Sequence, residues 1–271
     1  MQEKQRLLTP GAIYFWATVL FLYLPILLLV LFSLNDSVLL AFPLKGLTLH
    51  WYQELLEAGE MLQAAQNSLV VGVISSLIAT AIGTMAAIAV TRLNFPGRDV
   101  FLSIAAVPMI TPSIVLGVAL LILFRQTINL PLSLGLITLS HVVISIPTTM
   151  LIVMARLAGF SKNLEEAAMD LGANYWVTLW RVILPLSLPA LIAAFLTAFT
   201  ASFDEYAMTT LITGTDVTLP VYLYSLLRFP RRLPVALSMG SVIIVASAIL
   251  IVVAEWLRRV DFRGGAKEET A

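Results

Sequence analysis

The chain has 271 residues, 59% of them hydrophobic and 12% charged, with sixteen basic side chains against sixteen acidic ones. At a mean hydropathy of +0.95, too little polar surface exists to cover a water-soluble globule, so the chain belongs in a bilayer. A net charge of zero offers no footprint for nucleic acid, and the lack of cysteine excludes disulfides and thiol chemistry.

Glu3, Lys4 and Arg6 precede an uncharged run from Leu7 to Asn35. This run is too long for a signal-peptide core and has no small-residue cleavage pattern, so it reads as a first span over about Ala12–Leu34, kinked at Pro25. Asn35–Gln66 is an extramembrane loop carrying a short surface helix in TLHWYQELLE. A second span, about Asn67–Val90, is rich in Gly72, Ser75, Ser76, Ala79, Gly83, Ala86 and Ala87, small residues that let helices approach closely. A tight turn around Arg92, Pro96, Gly97, Arg98 and Asp99 leads to a third span, about Val100–Phe124. Pro108 and Pro112 should break that span, which places it inside the bundle, where freed backbone groups find partners. The fourth span, about Ser133–Ala155, contains His141 and Pro147.

Asn163–Pro185, NLEEAAMDLGANYWVTLWRVILP, is the most informative stretch. Asn163 is placed to cap a short helix with Glu166 three residues on, and Gly172 to end it in the left-handed conformation. Asn174 is placed to cap a second helix, in which Trp176, Leu179, Trp180 and Ile183 recur at helical spacing. Pro185 should then force a new direction. Local pattern alone also describes an ordinary interhelical connection. Glu166-Ala167-Ala168, then Gly172, then Leu184-Pro185 resembles the EAA motif of ABC importer permease subunits, with Val182 standing where that family most often has isoleucine. The resemblance implies a cytoplasmic coupling helix: the small alanines seat it in a cleft of a separate ATPase subunit, and the glycine sets the exit angle.

The fifth span, about Leu186–Ile212, carries Asp204 and Glu205, adjacent carboxylates found in no other spanning run. A loop with Gly214, Asp216, Pro220, Arg228, Arg231, Arg232 and Pro234 and a short amphipathic turn leads to the sixth span, about Val235–Leu257, and a polar tail, Asp261–Ala271. With six spans, one side holds Lys4, Arg6, Arg92, Arg98, Arg156, Lys162, Arg181, Arg258, Arg259, Arg263 and Lys267, and the other Lys45, Arg125, Arg228, Arg231 and Arg232. Eleven against five puts both termini and the Asn163–Pro185 stretch in the cytoplasm by the positive-inside rule.

No GxxxxGK[ST] loop occurs, so ATP-driven transport needs another subunit to bind the nucleotide. There is no GxSxG or HExxH pattern, and Ser140 beside His141 is no nucleophile-base pair, because adjacent helical residues point about 100° apart. The chain is thus read as a transport subunit and not an enzyme, with no metal site. From Asn67 onward, through Asn67-Ser68-Leu69, VPMITPSIVLG and SFDEYAMTTLITG, it looks like the spermidine/putrescine branch of the type I ABC importer permeases. That resemblance implies an all-α, six-helix integral membrane fold, read here as one domain over 1–271. A peripheral helix (about 12–34) precedes the core helices (about 67–257), and coupling helices lie at about 163–185. It further implies a bacterial inner-membrane location, a second and homologous permease subunit, an extracytoplasmic solute-binding protein, and a cytoplasmic ABC ATPase dimer that binds the ATP and magnesium. No cofactor is expected in this chain.

Two acidic groups within a span cost about 2.5–3.5 kcal/mol each or more, so they should face a wet cavity or a cationic partner, such as a polyamine. A plainer reading is that Asp204 bonds a neighbouring helix and Glu205 reaches water at a span that ends sooner. One of the pair is expected to face the pathway, and Asp204 is the better candidate because its short side chain cannot snorkel. His141 is the third pathway candidate, with a bond to a backbone carbonyl as its alternative. Arg228, Arg231 and Arg232 run against the positive-inside trend and are candidates for docking acidic residues of the binding protein, or else a solvated surface. Aminophosphonate, opine-like and iron importers use related permeases. An ion-coupled secondary transporter, with Asp204, Glu205 and His141 as the ion groups, and a non-transporting scaffold are the other classes.

Overall fold

The computed structural model describes residues 9–160 and 163–265, with side chains described as far as residue 249. Lys4, Arg6, Lys162 and Lys267 therefore lie outside the described residues, as do the side chains of Arg258, Arg259 and Arg263. Among the described residues, five helices are long and apolar enough to cross a membrane, and one bent pair brings the number to six if it is a single broken span. Contacts divide the chain into two compact units, Met1–Leu62 with Leu223–Ala271, and Gln63–Tyr222.

The first unit is built on α1 (Pro10–Ser33), α2 (His50–Glu57) and α12 (Leu233–Gly265). Thr9 caps α1 by accepting from the Ala12 N–H at 3.3 Å, and Pro10 starts the helix, where a missing N–H costs nothing. The helix carries Pro25 within its 24 residues; it is mostly exposed as far as Leu27, as suits a surface facing lipid, and half-buried to buried from Leu28 to Ser33. Polar contacts tie α12 to the other two helices. The Tyr52 hydroxyl pairs with Ser33 Oγ at 2.7 Å and donates to Ser241 Oγ at 3.1 Å, and Ser238 Oγ donates to the Trp51 carbonyl at 3.3 Å. The last helix thus packs with the first span, and it runs to Gly265, into what was read as the polar tail.

The second unit holds most of α3 (Gly59–Arg92), which begins eight residues before the expected second span and takes in the end of the loop. It continues with α4 (Arg98–Ile110), α5 (Ser113–Ile122) with a π-helical turn Leu123–Thr127, and α6 (Leu134–Ala158). Then come α7 (Asn163–Asp170), α8 (Tyr175–Thr178), a second π-helical turn (Leu179–Ile183), α9 (Leu184–Asp204) and α10 (Thr209–Ile212), with α11 (Leu219–Leu226) running to the end of the unit and beyond.

Small residues do what the sequence suggested between α3 and α6. A Cβ on Gly83 would collide with the Thr149 hydroxyl and the Met150 backbone nitrogen, so only glycine permits this approach. The Thr149 hydroxyl also donates to the Ala79 carbonyl at 2.9 Å, across the same contact. One core cluster joins Ala87, Ile88, Met150, Val153, Leu157, Leu179, Ile183 and Ala194, and another joins Val71, Leu120, Phe124, Ile137, Met208 and Ile212.

The third span is broken as expected, but at Thr111-Pro112, where α4 and α5 meet at 104°. Pro112 has no N–H to give the Pro108 carbonyl, so the ladder stops there, whereas Pro108 sits inside α4. Both the Thr111 amide and its hydroxyl donate to the Val107 carbonyl, at 3.1 and 2.7 Å, which closes the last turn of α4. The inference that this span lies inside the bundle does not hold for α4, which buries none of its residues within this chain. Pro185 likewise does not redirect the chain: Tyr175–Asp204 is one continuous span. The π-helical turn Leu179–Ile183 shifts the pairing just before the proline, and Pro185 falls in the first turn of α9, where its missing N–H is tolerated.

Candidate functional site

The fifth helix ends at Asp204, so the two carboxylates stand at the end of the span and not within it. Glu205 takes an extended backbone, φ −72° and ψ 112°, and its Oε1 accepts from the Met208 N–H at 2.8 Å, which starts the next turn. Asp204 is exposed and Glu205 is half-buried. A cavity of about 180 Å³ opens beside Glu205. Its walls come from three places: the break between α4 and α5 (Pro108, Thr111, Ser113), α6 (Ser145, Thr148), and α9 with the residue that follows it (Thr197, Ala201, then Glu205). Thr197, Ala201 and Glu205 lie four residues apart, hence on one face of the chain leaving α9. Ala198 and Ala201 keep that wall low.

Glu205 therefore lines the cavity and Asp204 does not, although Asp204 was the carboxylate favoured to face the pathway. The physical reason is that α9 terminates one residue before Glu205, so side-chain reach, on which the comparison of the two rested, does not decide which carboxylate turns inward. His141 does not line the cavity either. It is fully buried, with Nδ1 2.6 Å from Ser202 Oγ and Nε2 2.8 Å from Thr209 Oγ1, and Ser202 Oγ is in turn 3.0 Å from Ser75 Oγ. Both ring nitrogens are engaged by side-chain hydroxyls of α9 and α10, so the ring joins α3, α6, α9 and α10 just where the chain turns past Glu205. A single histidine in the sequence gives no sign of which hydroxyls will meet it.

At the far end of α9 and α6, the Gly172 turn and the Asn174 cap stand where the sequence places them, whereas α7 already begins at Asn163, the residue expected to cap it. Gly172 has φ +88°, its N–H donates to the Met169 carbonyl at 2.8 Å, and the Ala173 N–H donates to the Ala168 carbonyl at 3.0 Å. Asn174 caps α8 by accepting from the Val177 N–H at 2.9 Å. Glu166, Ala167, Gly172 and Pro185 are exposed, and Ala168 and Leu184 are half-buried. Around them Leu164 is 49% and Leu171 91% exposed. The sequence reading missed the neighbour of Glu166: Glu165 is 2.7 Å from Arg92 Nε, with only 14% and 8% of the two side chains exposed, and Arg92 Nη2 also donates to the Leu157 carbonyl at 3.2 Å. This ion pair ties α7 to the end of α3. It also missed Ser145 and Thr197, although the four-residue spacing from Thr197 to Glu205 is visible in the sequence. Arg228, Arg231 and Arg232 are all exposed, around a 3₁₀ turn at Pro230–Arg232. Among the described residues, no cluster of three or more His, Asp or Glu side chains is set to hold a metal ion.

Residues 79–260 match the family described as binding-protein-dependent transport system inner membrane component. The chain is 32% identical over 260 residues to the spermidine/putrescine transport system permease protein PotC of Escherichia coli (strain K12), covering 96% of this chain and 97% of that one. It is also 32% identical over 215 residues to the putrescine transport system permease protein PotI of the same strain, covering 77% and 76%. Its fold is similar to a chain in the crystal structure of a bacterial ABC transporter involved in the import of the acidic polysaccharide alginate, with a TM-score of 0.72, 17% identity and 95% of each chain covered. The chain belongs to the binding-protein-dependent transport system inner membrane component family and is a multi-pass permease subunit of an ABC importer.

Proposed function

We propose that this permease carries polyamines of the spermidine/putrescine kind into the cytoplasm. The observation that carries the reading is the cavity at the end of α9, where a carboxylate and several hydroxyls face one another with no basic side chain among the lining residues. The fold does not choose the cargo, since the similar alginate transporter imports a polyanion. The lining favours a cation, because a cation leaving water is compensated by a fixed carboxylate and by hydroxyl oxygens. Relatives named for spermidine and putrescine support the same choice.

In this reading ATP and magnesium are bound by a separate cytoplasmic ATPase dimer, which docks on α7 and the Gly172 turn. Glu166, Ala167 and Ala168 form the contact there, Leu184 and Pro185 carry its motion into α9, and the exposed Leu164 and Leu171 gain cover. A second, homologous permease subunit completes the pathway, and both termini lie in the cytoplasm. The test is uptake of radiolabelled putrescine and spermidine into proteoliposomes holding the complete importer, with its binding protein and ATPase. ATP-dependent uptake is expected, competed by excess amine and not by phosphonate or ferric ion. The reverse competition would sink the reading.

Arg228, Arg231 and Arg232 are proposed to meet acidic residues of the binding protein on the outer face. Reversing all three charges should weaken binding-protein docking, and more at low salt, where screening is least. Equal affinity for both forms at low salt would leave the arginines as a solvated surface.

A further inference from the structure

Ser145 is the least explained polar group of the cavity. It lies on α6, is 3% exposed, and its Oγ has no hydrogen-bond partner although it lines the same space as Glu205. A buried hydroxyl left unpaired costs about 1–3 kcal/mol, so a partner that arrives there recovers that cost. Two other hydroxyls on the walls are already committed as donors: Thr111 Oγ1 gives its proton to the Val107 carbonyl at 2.7 Å and Thr197 Oγ1 to the Ala193 carbonyl at 2.8 Å. Their lone pairs are what they have left to offer. Glu205 uses Oε1 on the Met208 N–H, which leaves Oε2 as an acceptor. Around one negative charge the cavity thus offers the oxygens of Glu205, Ser145, Thr111 and Thr197, with no fixed cation among its lining residues.

An entering group that matches this set carries one positive charge and several N–H donors in a compact head. The geometry points to a subsite for a single primary ammonium group, R–NH3⁺, held by Glu205 Oε2 and Ser145 Oγ with the threonine oxygens beside them. A volume of about 180 Å³ suits the charged end of an amine, with the rest of the solute extending away from it. This inference rests on the polyamine reading and goes further, because it names the chemical end that is recognised and makes Ser145 a selectivity residue. A primary ammonium has three N–H donors, a secondary one two. Each N-methyl group therefore removes a donor and adds bulk to the one place where the hydroxyl waits.

The complete importer, wild type and Ser145→Ala, is assayed in proteoliposomes with putrescine and with N,N′-dimethylputrescine. Both forms use the same binding protein, so its own preference cancels between them. Ser145→Ala should insert and assemble as wild type, since its hydroxyl bonds nothing in the protein. Putrescine uptake should fall about tenfold, as expected for a lost hydrogen bond to a charged group. Uptake of the dimethylated amine should change less than twofold, so the preference for the primary amine collapses. An unchanged preference, or equal losses for both amines, overturns the subsite and leaves the polyamine reading standing. If the assembled, ATP-hydrolysing wild type takes up neither amine, the polyamine reading fails and the subsite with it.

Discussion

Glu205→Gln is expected to lower putrescine uptake at least tenfold, and Asp204→Asn to lower it by less than half as much. Glutamine keeps an amide oxygen for the Met208 N–H, so the turn into α10 is retained and only the charge is lost. At an effective dielectric near 20, an opposite charge about 4 Å away is attracted by roughly 4 kcal/mol. Glu205 is half-buried, and screening reduces that figure, but a remainder of about 1.4 kcal/mol is already a factor of ten. Asp204 is exposed beyond the cavity wall, where water supplies most of what a carboxylate would. Initial uptake rates at matched amounts of assembled importer make the comparison. Equal effects of the two substitutions, or none, would remove the carboxylate at the cavity as the basis of cation transport.

The second large effect is expected around α7 and the Gly172 turn, where Arg92→Ala and Gly172→Leu should each lower the solute moved per ATP hydrolysed at least tenfold. Removing Arg92 leaves Glu165 nearly buried and unpaired, a change that costs about 3–5 kcal/mol in comparable sites. The helix α7 must then shift to let Glu165 reach water, and the surface it offers the ATPase shifts with it. Arg92→Ala combined with Glu165→Ala strands no charge and should recover part of the coupling, a non-additivity that distinguishes an ion-pair role from general damage. Gly172 acts through its backbone. At φ +88° a leucine is strained by about 1–2 kcal/mol, and relief of that strain reorients α8 relative to α7. Uptake and ATP hydrolysis measured on the same proteoliposomes decide the matter. A normal transport ratio in both variants would show that this stretch is not the coupling surface.

Much of this protein is legible without its fold. Hydropathy alone marks the spans, because crossing a bilayer needs about 20 apolar residues in a row whatever packs against them. The capping of α8 by Asn174 and the left-handed Gly172 are equally local, since each satisfies or frees backbone groups within a few residues of itself. The turn between α7 and α8 is therefore legible from its own residues.

What only the tertiary structure decided is direction and partnership. In a water-soluble helix the buried face is apolar and the opposite face polar, so a sequence shows which residues point inward. In lipid both faces are apolar and that contrast is lost. Nothing in the run around Asp204 and Glu205 could show that α9 stops at Asp204 and that the carboxylate lining the cavity is Glu205. The partners of His141 come from Ser202 and Thr209, 61 and 68 residues away, and Arg92 meets Glu165 across 73 residues of sequence. The 104° bend depends on which of two prolines ends the ladder, and the continuity past Pro185 on a π-helical turn that composition does not announce. Spans and caps follow from the chain's own neighbourhood, whereas the cavity exists only once α4, α5, α6 and α9 are set against one another.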